Sequence, residues 1–321
     1  MKKSMPKIPG YQVLNEIGSG GYSRVYLVIN KKYQQLFAAK VLDTDTINEN
    51  SAWDAFFAES SALCKLYHPN VIKLYEYIVH DKYLILILEY CEKGSLYDLV
   101  LEHGKLDIKI VNTIIFQIAS AMQCLEKAKI SHHDIKPQNI LVDSYGRAKL
   151  VDFGLSLNMK SQKKDKMAGT WSFLAPEVIK NNDYSPYSAD IWSLGVTVYY
   201  CLTGELPFQA SSVKILKELI LSGTYTLPSG LSPEMKWFIV SSLNNDPGKR
   251  PSLENIFQIF ENHSDHSLFN ATHKNQMITT GYSMLRHISH TQENRKRFVF
   301  KKRSLSTSLC HGVNSGNLIP S

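Results

Sequence analysis

His132-His133-Asp134-Ile135-Lys136-Pro137-Gln138-Asn139, closely followed by Val151-Asp152-Phe153-Gly154, is the part of this chain that decides its fold. An acid at Asp134, a cation at Lys136, an amide at Asn139 and a second acid at Asp152 are the parts needed to move a phosphoryl group from a magnesium-bound nucleotide to a hydroxyl. Any one of these residues alone could be a solvated loop charge. Their joint occurrence in this order makes that reading hard to sustain.

The surrounding chain is long enough to hold such a site in a packed body. It has 321 residues, 44% hydrophobic and 20% charged, an ordinary globular composition with room for two lobes. The apolar runs around Tyr83–Leu88 and Leu194–Leu202 fall short of the roughly 20 residues a membrane helix needs, so no span is expected. The start, MKKSMPKIPG, has two lysines but no apolar run of about 7 to 15 residues, so no secretory signal is expected either. The expected location is intracellular, cytoplasmic or nuclear. Cys64, Cys91, Cys124, Cys201 and Cys310 are scattered and without CxxC spacing, which points to reduced thiols and away from a disulfide framework or zinc site.

The net charge of +7 is unevenly placed. From Ser264 onward, eight lysines and arginines face only Asp265 and Glu293, a net +6, which leaves +1 for the first 263 residues. A nucleic-acid-binding protein would carry its basic charge on the folded domain. The near-neutral body argues against that class.

From Tyr11 to about Tyr90 the pattern is strand-rich. Val25, Leu27 and Ile29 alternate at strand period, and Phe37–Leu42 and Tyr83–Glu89 read as further strands. Between them Trp53, Phe56, Phe57, Ser60, Leu63 and Cys64 follow the spacing of one helix face. After Gly94 the texture turns helical, with Val111, Ile114, Ile115, Ile118, Met122 and Leu125 as an apolar stripe and Asp107 as its N-cap. Helices are also expected around Ile191–Leu202, Val213–Leu221 and Pro233–Leu243. The expected organisation is an extension at 1–10, a β-rich lobe at 11–91 with one main helix, an α-rich lobe at 92–262, and a basic tail at 263–321. The turn residues Cys91–Ser95 form a hinge, and the class is α+β and bilobal.

Gly18-Ser19-Gly20-Gly21-Tyr22-Ser23-Arg24-Val25 is a glycine loop that lets backbone approach phosphates. Alone it could be a plain hairpin turn. A dinucleotide fingerprint opens a helix; here Val25, Leu27 and Ile29 continue as a strand, which favours a hairpin flap over phosphates. Lys40 ends an apolar strand and could simply snorkel to solvent. Glu59 on the following helix changes that reading, because a Lys40–Glu59 pair would hold the ammonium toward the α- and β-phosphates.

At this point the chain resembles the eukaryotic protein kinases, over about Tyr11 to Glu261. The glycine loop, Lys40, Glu59, His68-Pro69-Asn70, the catalytic loop, Asp152-Phe153-Gly154, Ala175-Pro176-Glu177, Asp190-Ile191-Trp192-Ser193-Leu194-Gly195 and Arg250 occur in that family's order. The resemblance implies ATP and Mg²⁺ as cofactors, with Asp134 orienting the attacking hydroxyl, Lys136 neutralising γ-phosphate charge, and Asn139 and Asp152 holding the metal. It places Ile17, Gly18, Ser19, Gly20, Gly21, Val25, Ala38 and Leu141 around the nucleotide. It also makes Leu88 similar to the gatekeeper, gives Glu89 and Cys91 backbone groups for adenine, pairs Glu177 with Arg250, and has Asp190 brace the catalytic loop. Lys136 and Gly169–Thr170 look like the serine/threonine branch, so protein serines and threonines are the implied substrates. The texture is most similar to the calcium/calmodulin-dependent-like group, although no calmodulin-binding helix is clear. A nucleotide-binding scaffold without catalysis is the competing class; it usually lacks one of the positions held here by Lys40, Asp134 and Asp152.

Three departures matter. Ser23 replaces the loop's third glycine, which predicts altered loop flexibility with nucleotide binding kept. His133 stands where most members have the arginine that docks an activation-segment phosphate; an ordinary histidine is mostly neutral at pH 7. Lys166 occupies the place of the activating threonine, so activity without phosphorylation of this segment is expected. Lys160, Lys163, Lys164 and Lys166 make the segment basic, as a solvated loop or a surface for acidic partners. Gln138 and Ser95 lack the carboxylates that favour upstream arginines in substrates. The tail stretch RKRFVFKKRSLSTS, Arg295–Ser308, reads as a solubilising end or as a contact for anionic membrane or import machinery, with Ser304 and Ser306 as phosphosites.

Overall fold

The computed structural model describes residues 5–20, 23–45, 49–154, 171–180 and 183–261, without the side chains of 49–51. Strands β1 (Tyr11–Ser19), β2 (Ser23–Asn30), β3 (Leu36–Asp43), β4 (Leu74–His80) and β5 (Tyr83–Leu88) form one antiparallel sheet in the order β1-β2-β3-β5-β4. Helix α1 (Glu49–Leu63) packs against β3, β4 and β5. Its Phe56 is fully buried, and Trp53 stacks on Phe57 with centroids 5.4 Å apart.

Both faces of this sheet are covered, which alters the reading of β2. Alternation pointed to Val25, Leu27 and Ile29, but the more deeply buried residues of β2 are Tyr26 and Val28 on the opposite face. They join Tyr11, Phe37, Ala39, Val41, Ile78, Ile85 and Ile87 in an apolar cluster, and Ile8, ahead of β1, packs into it. The Tyr11 amide donates to the Ile8 carbonyl at 3.1 Å. Cys64 also departs from the expected helix face, lying exposed just past the end of α1.

The larger lobe is built on α3 (Ile108–Lys127) and α5 (Pro186–Thr203), preceded by α2 (Leu96–His103). Asp107 caps α3 as expected, accepting from the Lys109 amide at 2.8 Å. Its stripe Val111, Ile114, Ile115, Ile118 and Leu125 is buried, and the helix packs on α5, β7 (Ala148–Leu150) and α8 (Leu253–Phe260). α3 is long and apolar enough to match a membrane span. Its burial among these elements is that of a core helix. α5 is buried along nearly its whole length. It stops at Gly204, in left-handed conformation, where a Cβ would lie 2.6 Å from the Gly104 carbonyl oxygen. Helices α4 (Pro176–Lys180), α6 (Val213–Ser222) and α7 (Pro233–Ser242) complete this lobe, with the short strand β6 (Ile140–Val142) paired to β7.

One ion pair ties the segment before α8 to α4. Both nitrogens of the Arg250 fork donate to Glu177, at 2.6 and 2.7 Å, and Arg250 also donates to the Ser188 and Asn244 carbonyls. Both partners are buried, so removing one strands the other charge. Arg250→Met is expected to lower unfolding free energy by about 3–5 kcal/mol. Urea denaturation at pH 7 measures this, and an unchanged midpoint would refute it.

Candidate functional site

The upper wall of the cleft follows from strand register. Val25 lies opposite Lys40, Lys40 opposite Leu86, and Ala38 opposite Leu88, so these side chains share one face of the sheet. Gly18 pairs with Val25, while Ile17 falls in a register shift of β1 and stays 41% exposed. The flap closes through the Gly20 amide, which donates to the Ser23 carbonyl at 2.8 Å. Ser19 ends β1 opposite Arg24. Gly21 lies outside the described residues.

Lys40 reaches from β3 to two acids. Its ammonium donates to both Glu59 oxygens at 2.8 and 2.7 Å and to Asp152 Oδ1 at 2.8 Å. Burial opposes a charge on Lys40, but Asp152 and Glu59 outweigh it and raise its pKa, so it stays a cation. Lys40 in turn holds the Asp152 carboxyl down at about 2. Burial pushes Glu59 up, so Asp152 is the firmly ionised acid of the two. Its side chain is 45% exposed, unlike the buried Glu59.

The catalytic loop forms the lower wall. Asp134 Oδ2 accepts from Lys136 Nζ at 2.7 Å and from Asn139 Nδ2 at 2.8 Å, and Asn139 Nδ2 also reaches the Asp134 carbonyl at 2.9 Å. Asp134 Oδ1 is buried and has no partner among the described residues. The loop is fixed from behind by α5, whose Asp190 accepts from the His132 and His133 amides, each at 2.8 Å. His132 Nε2 contacts the Val151 carbonyl at 2.9 Å while its Nδ1 accepts from the Asp134 amide. That links the loop to the residue before Asp152. His133 and Asp152 both hold positive φ, 66° and 65°, which costs on the order of 1–3 kcal/mol each and needs such bracing.

The residues fit a magnesium nucleotide. Among the described residues no intramolecular hydrogen bond engages the Glu89 carbonyl or the Cys91 amide, leaving both for a planar base. Leu88 is buried at the end of β5, and the half-buried Leu141 bridges Ser95 at the end of the hinge. No cluster of three acidic, histidine or cysteine ligands occurs among the described residues. Mg²⁺ takes one or two protein oxygens and completes its shell with phosphates and water. Asn139 and Asp152 would supply such oxygens, and the Val151 amide bonds the Asn139 carbonyl at 3.0 Å.

His133 is turned onto Ser131, with Nε2 2.7 Å from Oγ. Burial, reinforced by the neighbouring His132, lowers its pKa from 6.5 to about 4. The folded state therefore binds this proton more weakly than the unfolded chain, and stability falls as pH drops from 6.5 to 4. His133→Asn is expected to flatten that part of the stability profile. Urea midpoints between pH 7 and 4 test it; an equally steep fall in the variant would contradict the assignment.

Two features escaped the sequence. Ser95 caps α2, exchanging bonds with Asp98 in a capping box. Lys149, buried in β7, pairs with the side chain of Glu89 at 2.8 Å. A lone lysine between apolar Ala148 and Leu150 was the available signal. Gly169–Thr170 and the lysines from Lys160 to Lys166 lie outside the described residues.

The protein kinase domain model matches residues 11–260. In Mus musculus, sperm motility kinase 2B is 35% identical over 248 residues, 77% of this chain and 50% of that protein. Sperm motility kinases 2A and 3A are 34% and 35% identical, over 77% of this chain and 48% of each relative. The chain spans about half the length of these curated relatives. The matched region contains Lys40, Glu59, Asp134, Asn139 and Asp152 in the geometry above, and the chain belongs to the protein kinase domain family.

Proposed function

We propose that this chain transfers the γ-phosphoryl group of Mg-ATP to serine and threonine hydroxyls of proteins. The observation that carries this is Asp134, whose Oδ2 is held by Lys136 and Asn139 while the buried Oδ1 stays open to a hydroxyl proton. Mg²⁺, held by Asn139 and Asp152, would neutralise charge on the phosphate oxygens. Lys40 orients the α- and β-phosphates, fixed by Glu59 on α1. Lys136 is placed to balance charge on the transferred group, and Asp134 aligns the acceptor and takes its proton. Glu89 and Cys91 meet the adenine edge through their backbone. Incubating the purified chain with Mg-ATP and a degenerate array of serine, threonine and tyrosine peptides tests the reading. Phosphate on serine and threonine peptides is expected; nucleotide binding without transfer to any peptide would favour a scaffold.

Activation-segment phosphorylation is not obligatory in this reading. His133 is uncharged at neutral pH and bonded to Ser131, so it offers no cation to a loop phosphate. A phosphatase-treated sample is expected to keep at least half its activity. Near-complete loss, restored only by rephosphorylation of the segment, would overturn this.

The proposed setting is intracellular, cytoplasmic or nuclear. The basic stretch Arg295–Ser308, outside the described residues, is proposed as a contact for anionic membrane or import machinery. Unchanged localisation after deletion of Ser264–Ser321 would remove that role.

A further inference from the structure

Lys149 is an ammonium almost completely removed from water, 4% exposed, on a strand otherwise made of apolar positions. Taking such a charge out of water costs several kcal/mol, of the order usual for buried ions, unless partners compensate. Its partner is the Glu89 carboxylate, at 2.8 and 3.1 Å, with Asp143 at 3.8 Å. Asp143 is already engaged by Arg147 at 2.7 Å and by its own turn amides. Glu89 is therefore the group that holds Lys149.

Glu89 also follows β5 directly and opens the connection into the Cys91–Ser95 hinge. Its amide donates to the Lys73 carbonyl at 2.9 Å, and its Oε2 receives a longer contact from the Lys73 amide at 3.4 Å. With its amide tied to the small lobe and its side chain to the large one, only its carbonyl is left for a ligand. β7 grips the small lobe along its whole length. The Ala148 carbonyl accepts from Asn70 Nδ2 at 2.9 Å, the Leu150 amide donates to the Asn70 carbonyl, and the Leu150 carbonyl accepts from the Ile72 amide. Lys149 adds the hinge to these contacts, and Val151 and Asp152 follow directly in the chain.

We propose that Lys149 is a positioning residue for the nucleotide: by clamping the Glu89 side chain it fixes the carbonyl that meets adenine, in register with Asp152 at the phosphate end. This rests on the nucleotide-binding reading above. The clamp acts through the hinge backbone and not through its own charge at the phosphates. Its loss should therefore weaken adenosine as much as Mg-ATP.

Isothermal titration of the full chain with adenosine and with Mg-ATP separates these possibilities. In Lys149→Met, roughly tenfold weaker binding of both ligands is expected, the size of one misplaced hydrogen bond at the adenine edge. Transfer at saturating nucleotide should stay within about threefold of the parent, a KM effect with little kcat effect. Lys149→Arg should recover most of the affinity. Should Lys149→Met fail to fold, Glu89→Gln provides the same reading, because a neutral amide gives up the ion pair and leaves the ammonium one acceptor in place of two. Unchanged affinity in either folded variant would overturn the proposal, and so would a loss confined to Mg-ATP. A parent chain that binds neither ligand would remove the nucleotide reading itself, an outcome distinct from a parent that binds and a variant that binds equally well.

Discussion

Asp152→Asn is expected to reduce phosphoryl transfer roughly 10³-fold while leaving the fold intact, since in this chemistry nearly all acceleration comes from positioned charge. The substitution keeps shape and removes one negative charge. Lys40 would retain Glu59 at 2.7 Å, so the cluster falls from one cation between two acids to a simple pair. Asp152 is held at about 2 by Lys40, so in the parent it is ionised throughout the physiological range. The asparagine oxygen offers Mg²⁺ only a neutral dipole, and hard cations favour carboxylate. Because the Asp152 side chain is 45% exposed, thermal stability should remain close to that of the parent. The measurement is transfer of labelled phosphate to the preferred peptide, with adenosine affinity as the control for an intact hinge. A variant that transfers at the parent rate would show that Asp152 does not hold the metal.

How far these assignments were legible depended on whether residues act through local spacing or through long-range packing. Lys40, Glu59, Asp134, Asn139 and Asp152 were readable because each sits in a short motif, and the structure bonds them in two groups, Lys40 with Glu59 and Asp152, and Asp134 with Asn139. Asp107 was readable because capping is a local event. The covered outer face of the small sheet was not, since burial of Tyr26 and Val28 depends on Ile8, Tyr11, Phe37 and Ile85 arriving from separate segments. Alternation reports that a strand has two faces; it cannot say that both are dry. Ile17 was named as a nucleotide neighbour; it lies at a register shift of β1 and is 41% exposed, a local irregularity that no composition rule foresees. Lys149 is the clearest case of a hidden residue. Its partner Glu89 lies 60 positions away, and the hinge residue had been read for its backbone alone.

The same contrast explains why His133 matters more in the structure than in the sequence. The replacement of arginine by histidine removed a phosphate partner on paper. In the fold, its amide is held by Asp190 and its ring is drawn onto Ser131, so the loop geometry is kept without a cation. The residue at the position of the phosphate-docking arginine is neutral, while the adjacent Asp134 retains its bonds.

Asp134→Asn tests that adjacent residue, and a loss of roughly 10²–10⁴-fold in kcat is expected, the range for removing a positioned general base. The geometry predicts how the amide would sit. Asp134 Oδ2 faces two donors, Lys136 Nζ at 2.7 Å and Asn139 Nδ2 at 2.8 Å. An asparagine must turn its oxygen toward them, because its NH₂ would otherwise oppose donor with donor. The NH₂ then occupies the place of the unpartnered Oδ1 and presents hydrogens where the acceptor hydroxyl needs a proton acceptor. Nucleotide binding should change by less than about threefold, because the effect belongs to the transition state and not to ground-state affinity. Steady-state kinetics with the preferred peptide, paired with titration of Mg-ATP, separates the two. A variant with the parent's kcat would eliminate Asp134 as the base, and a lost rate accompanied by lost nucleotide affinity would mean that its bonds to Lys136 and Asn139 serve chiefly to build the nucleotide site.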